Sequence, residues 1–254
     1  MPAIETSALT KRFGRTTAVD TLDLAVPAGT VYGFLGPNGA GKTTTMRMLT
    51  GLSTPTSGTA TVAGVSITDR DALRPHIGYL PEDPPLYEQA TAYEQLEYVA
   101  GLRDLPQQET RARIDALFDR LDLPREDAAT RIADYSKGMR QKVAYVQAIL
   151  HDPAVAFLDE PTSGLDPRAA RTIRELIREL ASDGTTVFLS THILPVVEEI
   201  ADTVGILYDG RLVAEDTPAR LMRRAETEEA RSLEDAFLEL TSTDPAAEVE
   251  SADG

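Results

Sequence analysis

The chain has 254 residues, 42% of them hydrophobic and 26% charged, with a formal net charge of -16 and no cysteine. Length and apolar content allow one large domain or one domain with an inserted subdomain, and the missing cysteines exclude disulfides, thiol catalysis and cysteine-based metal sites. The acidic balance disfavours duplex DNA or RNA as a general partner and fits a solvated surface or adaptation to high salt; the sparse lysines, Lys11, Lys42, Lys137 and Lys142, do not separate the two.

The elements follow in chain order. Residues 1–35 carry short β-type runs, Leu22–Val26 and Val31–Leu35, the second ending at a glycine-rich turn. Thr43–Leu52 reads as a helix closed by Gly51. Residues 58–68 alternate in β fashion. Glu82–Pro85 is a loop by its proline pair. From Tyr93 to about Leu150 the period is helical: Leu96, Val99 and Ala100, then Ile114, Leu117, Phe118 and Leu121, share faces. Apolar runs return at Val155–Leu158, Thr186–Leu189 and Val204–Tyr208, as in strands buried on both faces of a parallel sheet. Helices are expected between them at Ala169–Ser182 and Leu194–Ala201. Alternating strand and helix implies an α/β layered fold. Ser232–Thr241 reads as an amphipathic helix with Leu233, Phe237 and Leu240 on one face, and Asp244–Gly254 as a disordered tail. No run reaches the ~18–20 apolar residues of a membrane span. Met1–Thr10 lacks the basic start and apolar stretch of a secretory signal. The expectation is a soluble protein whose membrane role requires a partner.

Two motifs carry chemistry. Gly36, Pro37, Asn38, Gly39, Ala40, Gly41, Lys42, Thr43 and Thr44 match the P-loop pattern after a strand and at the start of a helix. Glycines let the backbone curl so that its N–H groups converge on phosphate oxygens, and the helix N-terminus adds partial positive charge. Lys42 adds a full charge near the β- and γ-phosphates, and Thr43 offers a hydroxyl to Mg²⁺. The apolar run Val155–Leu158 then ends in Asp159 and Glu160, at the carboxyl edge of the sheet where the P-loop also lies. Asp159 suits a Mg²⁺ held through water, and Glu160 suits polarising an attacking water. Together they predict an α/β P-loop NTPase.

Further short segments narrow the family. Tyr135–Gln141 opens a helix that Ser136 is suited to cap. Ser163–Asp166 follows the acidic strand, and Thr191 with His192 follows the next one. In this order the chain resembles an ABC transporter ATPase over roughly residues 3–215, and within that family the exporter branch that includes daunorubicin-type resistance ATPases. The resemblance implies a RecA-like core with a mostly parallel sheet, an N-terminal antiparallel β portion and an inserted helical subdomain. It implies that Phe13 stacks on adenine and that Ser136, Lys137, Gly138 and Gln141 belong to the signature reaching the opposite subunit's nucleotide. Asp166 matches the acid at the dimer seam, and His192 the switch histidine. Lys137 stands where the family usually has glycine, and Glu82, matched as a Mg²⁺ contact, where it usually has glutamine.

The implied cofactors are ATP and Mg²⁺, with Thr43, Asp159 and Glu82 at the metal and Glu160, His192 and Lys42 catalytic. The implied setting is the cytoplasmic face of the membrane, beside a separately encoded permease, as a homodimer or paired with a second nucleotide-binding subunit. The expected division is an ATPase domain over 3–234, built from an α/β core (3–85 and 151–215) and a helical subdomain (86–150). A helical extension (216–241) and a disordered acidic tail (242–254) complete it. The function implied is ATP-driven export of a small molecule or ion. The alternatives are a non-transport ABC ATPase acting on DNA or ribosomes, and a regulatory protein that holds nucleotide without hydrolysing it; Glu160 and His192 together argue against the last.

Overall fold

The structure, a computed structural model, describes residues 2–224 and 232–242. Two long strands open it, β1 (Pro2–Phe13) and β2 (Thr16–Pro27), followed by β3 (Val31–Leu35) and α1 (Lys42–Leu49). Next come β4 (Ser57–Val62), β5 (Val65–Ser66), the single turn α2 (Arg70–Leu73) and β6 (Ile77–Leu80). The helices α3 (Ala92–Gly101), α4 (Gln107–Arg120), α5 (Arg125–Ala128) and α6 (Lys137–Ile149) separate β6 from β7 (Val155–Asp159). The chain continues through α7 (Pro167–Ser182), β8 (Thr186–Thr191), α8 (Leu194–Ile200), β9 (Thr203–Tyr208), β10 (Arg211–Asp216), α9 (Pro218–Arg224) and α10 (Leu233–Ser242).

The strands form two sheets. The order β2-β1-β4-β5 is antiparallel, and the order β10-β9-β3-β8-β7-β6 is parallel except for β10. The expected α/β fold with a mostly parallel sheet and an antiparallel N-terminal portion is therefore what forms. The runs β3, β7 and β8 are buried along their whole length, because layers cover both faces of the parallel sheet. On one face Tyr32, Phe34, Phe157 and Phe188 pack with Met46 and Met48 of α1 and with the antiparallel sheet. Phe188 lies 5.1, 5.3 and 5.7 Å, centroid to centroid, from Phe34, Tyr32 and Phe157. On the other face Val31, Leu35, Leu158, Val187 and Ile206 meet α6, α7 and α8. A side chain that alternates along a strand thus enters one core or the other.

The N-terminus departs from the sequence reading. Short runs were expected there, and two paired 12-residue strands form instead. Bulges near Ala8 (φ 47°) and Thr21 (φ 50°) shift the register and break the two-residue alternation that marks a strand. Thr6 sits between them, its hydroxyl donating to Leu22 O and accepting from Leu24 N, both at 2.8 Å. Arg211 of β10 ties the two sheets together through a forked bond to Asp20, with Nε at 3.0 Å and a terminal nitrogen at 2.6 Å from the same oxygen.

Local signals set the helix starts. Thr91 and Glu94 form a capping box at α3. Ser136 caps α6, accepting from Met139 N at 3.2 Å. The carboxylate of Asp166 caps α7, accepting from Arg168 N and Ala169 N, each at 3.0 Å. The periodic residues Leu96, Ile114, Leu117, Phe118 and Leu121 are all buried. In α10, Leu233 and Ala236 are buried and Phe237 and Leu240 pack against the same core. The expected disordered tail lies outside the described residues beyond Ser242. Among the described residues no helix is long and apolar enough to cross a membrane.

Candidate nucleotide site

Four adjacent parallel strands, β3, β8, β7 and β6, deliver the site at their carboxyl ends. The turn after β3 is the P-loop, with Gly41 as the N-cap of α1 at φ 108°. Only glycine fits there: a Cβ on Gly41 would lie 2.3 Å from Ala18 O, and the positive φ would strain any other residue. Gly36 is required by close packing, since its Cβ would lie 2.4 Å from Leu207 O. The loop therefore presents bare backbone to a pocket of about 320 Å³. Ala18, Asn38, Gly39, Gly41, Lys42, Thr43, Thr44, Glu82, Asp159, Glu160 and His192 line it. Gly36, Pro37 and Ala40 stand behind that lining.

Lys42 is buried, and its ammonium donates to Gly36 O (2.7 Å) and Pro37 O (3.2 Å). Burial pushes its pKa down, while Glu160, Asp159 and Glu82 oppose the shift. The Thr43 hydroxyl donates to Asp159 Oδ2 at 3.0 Å. Burial raises the Asp159 carboxyl above its ordinary value, and the Thr43 bond pulls the other way.

Glu160 follows β7 with φ 50°, a left-handed conformation rare for a residue with a Cβ. The strand pairing holds it there, its N–H donating to Ser190 O at 2.8 Å. The carboxylate is buried and accepts three bonds. These come from the Thr191 hydroxyl at 2.9 Å, His192 N–H at 2.9 Å and the His192 ring Nδ1 at 2.7 Å. Thr191 and Ala18 are members of the site that the sequence reading did not assign. Thr191 carries a signal, a hydroxyl closing an apolar strand beside the histidine; Ala18 carries none, since its backbone is brought in by β2.

The remaining expected residues do not line this pocket. Ser136, Lys137 and Gly138 sit at the start of α6, and Asp166 at the start of α7. Gln141 is buried and donates to Pro161 O at 3.3 Å. Lys137 lies across Gly164, where a Cβ would come 2.4 Å from its Nζ. Phe13 is not a core residue: 55% of it is exposed, and Lys11 Nζ sits 5.0 Å from its ring centre.

A phosphate-sized cradle of backbone amides, a buried lysine and paired carboxylates at the carboxyl edge of a parallel sheet define a P-loop nucleoside-triphosphatase. Residues 19–163 match the ABC transporter family model, and the chain belongs to that family. It is 39% identical, over 87% of its length, to the bacitracin transport ATP-binding protein BcrA of Enterococcus faecalis, of which it spans 71%. It is 42% identical, over 86% of its length, to the daunorubicin/doxorubicin resistance ATP-binding protein DrrA of Streptomyces peucetius, of which it spans 66%. A solved structure of the ATP-binding cassette MJ0796, dimeric and in a post-hydrolysis state with ADP and Pi, matches 84% of this chain and 98% of its own at TM-score 0.78 and 25% identity. The chain is an ATP-binding, ATP-hydrolysing cassette of the ABC transporter family, as the motif order implied.

Proposed function

We propose that the chain energises export of a drug, an antibiotic, a lipid-like compound or an ion through a separately encoded permease, from the cytoplasmic face of the membrane. The observation that carries the reading is the convergence of Lys42, Thr43, Asp159, Glu160 and His192 in one pocket. The export direction is supported by the likeness to the bacitracin and daunorubicin proteins.

The residues take these roles. Gly36–Thr44 cradle the phosphates with backbone amides, and Lys42 transfers its ammonium from loop carbonyls to the β- and γ-phosphates. Glu160 orients and deprotonates the attacking water. Its three donors keep the carboxylate aimed, and the His192 ring faces the charge that develops on the γ-phosphate. The Thr43 hydroxyl and Asp159 carboxylate are hard oxygen donors already side by side, which fits Mg²⁺ completed by waters and phosphate oxygens. Glu82 adds a third carboxylate to the same lining. When bound, Mg²⁺ supplies charge neutralisation to the phosphates. Phe13 offers an exposed ring for adenine.

Ser136, Lys137, Gly138, Gln141 and Asp166 serve a second copy, or a second nucleotide-binding subunit, across a dimer seam. Their absence from the chain's own pocket and the dimeric form of the MJ0796 cassette support this. The division into core 3–85 and 151–215, helical part 86–150 and extension 216–241 belongs to the same reading, and α3–α6 falling between β6 and β7 supports it.

Glu160→Gln tests the catalytic assignment, because it keeps shape and removes the charge that activates water. ATP binding persists, and turnover falls by about 10²- to 10⁴-fold. A steady-state ATPase rate close to the parent's removes Glu160 from the catalytic role.

A further inference from the structure

The nucleotide pocket has an electrostatic imbalance. Its lining holds one permanent cation, Lys42, against three carboxylates, Glu82, Asp159 and Glu160. Two of these acids are held by the fold. Asp159 accepts the Thr43 hydroxyl, and Glu160 accepts bonds from Thr191 and His192. Glu82 differs. It lies in the exposed loop after β6 and has no hydrogen-bond or ion-pair partner among the described residues, yet its charge acts on Lys42.

An unpaired carboxylate beside a triphosphate cradle opposes a highly charged anion and favours any cation the anion carries. Free ATP carries about two more negative charges than its divalent-metal complex, because the ion's own charge is part of the ligand. A glutamine at the same place would present a neutral amide and make little distinction between the two forms. We propose that Glu82 makes this pocket select the metal-complexed nucleotide and reject the free one. Asp159 and Glu160 add to the same field, but both are committed to positioning groups inside the site. Glu82 is the acid that no protein group holds among the described residues, so discrimination changes with it while the hydrogen bonds that position Asp159 and Glu160 stay intact. The inference rests on the nucleotide-pocket reading above.

The test is a set of binding isotherms by calorimetry at fixed ionic strength. ATP is titrated once with excess EDTA and once with excess Mg²⁺, into the full chain and into Glu82→Gln, Glu82→Asp and Lys42→Ala. Glu82→Gln tightens metal-free ATP on the order of tenfold, the size expected for removing one like charge at partly screened range. It leaves the metal complex unchanged or weaker, so the ratio of the two dissociation constants falls by about the same factor. Glu82→Asp, which keeps the charge, keeps the parent ratio. The gap between parent and Glu82→Gln narrows when salt is raised. Circular dichroism establishes that each variant is folded. If Lys42→Ala weakens both forms while Glu82→Gln leaves the ratio untouched, Glu82 does not discriminate and only this inference falls. If Lys42→Ala binds both forms like the parent, the pocket itself is misread and both readings fall together.

Discussion

At the scale of single residues, His151 shows how desolvation and neighbouring charge write a pH dependence. Its Nε2 meets Ile77 O at 2.9 Å, and its Nδ1 is buried with no partner among the described residues. Burial, with Arg103 and Arg113 nearby, pushes its pKa down to about 4 from 6.5. Between those values the unfolded chain binds a proton that the folded one refuses, so stability is lost as pH falls from 6.5 toward 4. His151→Gln keeps a donor for Ile77 O and cannot titrate. Its melting temperature should fall less than the parent's over that window, and parallel slopes in a thermal-melt series would falsify the assignment. The same part-buried ring sits far from the P-loop in sequence and takes no part in the nucleotide pocket. In the sequence it was one histidine among three, and nothing local set its burial apart.

At the scale of elements, the start of α6 was legible, because Ser136 was expected to cap it and does, while strand lengths were the least legible feature. Thr91 caps α3 in the same manner, though only the structure assigned it. Its hydroxyl accepts from Glu94 N at 3.2 Å, and its N–H donates to Glu94 Oε2 at 2.8 Å. The cap fixes the entry of α3, which buries Ala92, Tyr93, Leu96 and Ala100 under the helical layer. Thr91→Ala removes the acceptor and should cost about 1 kcal/mol. For a chain of this size that lowers the melting temperature by roughly 2–4 °C; a melt superimposable on the parent's means α3 is held by packing alone. The strands β1 and β2 illustrate the illegible lengths. They pair with each other, with bulges near Ala8 and Thr21 that shift the register, and β1 pairs further with β4 while Asp20 of β2 holds Arg211 of β10; the bulges break the local alternation by which a strand's length is read.

At the scale of the whole molecule, the distribution of the expected site residues poses the main question. The P-loop, the two acids and His192 converge within one chain, while Ser136, Lys137, Gly138 and Asp166 stay outside the pocket. In the function proposed above, a dimer in which ATP contacts both surfaces accounts for this. The Glu160→Gln protein should be largely monomeric without nucleotide and dimeric with ATP, since it cannot hydrolyse its way open. Adding Ser136→Arg should abolish that dimer by placing a long cation at the facing surface, while the P-loop still binds ATP. Light scattering with and without ATP reads both outcomes. Several salt concentrations are needed, because a chain of net charge -16 repels its copy at low ionic strength. If ATP drives no association at any salt, and Ser136→Arg leaves turnover as it was, residues 135–141 act only as a helix cap.

By itself the sequence determined the α/β class, the glycine-rich P-loop turn at 36–44, the acidic pair Asp159 and Glu160 that ends β7, and the order of motifs that placed the chain in its family. These are local in cause: a strand buried on both faces must be apolar throughout, and a backbone that curls around phosphate must be rich in glycine. Only the tertiary structure decided that Thr191 and the His192 backbone aim Glu160. It alone decided that Ala18 closes against Gly41, and that Glu82, without a hydrogen-bond or ion-pair partner among the described residues, lines the same pocket as Lys42. Those relations depend on which strands become neighbours, β3 beside β8 and β8 beside β7. Sheet order is set by the packing of both cores together, which no window of neighbouring residues contains.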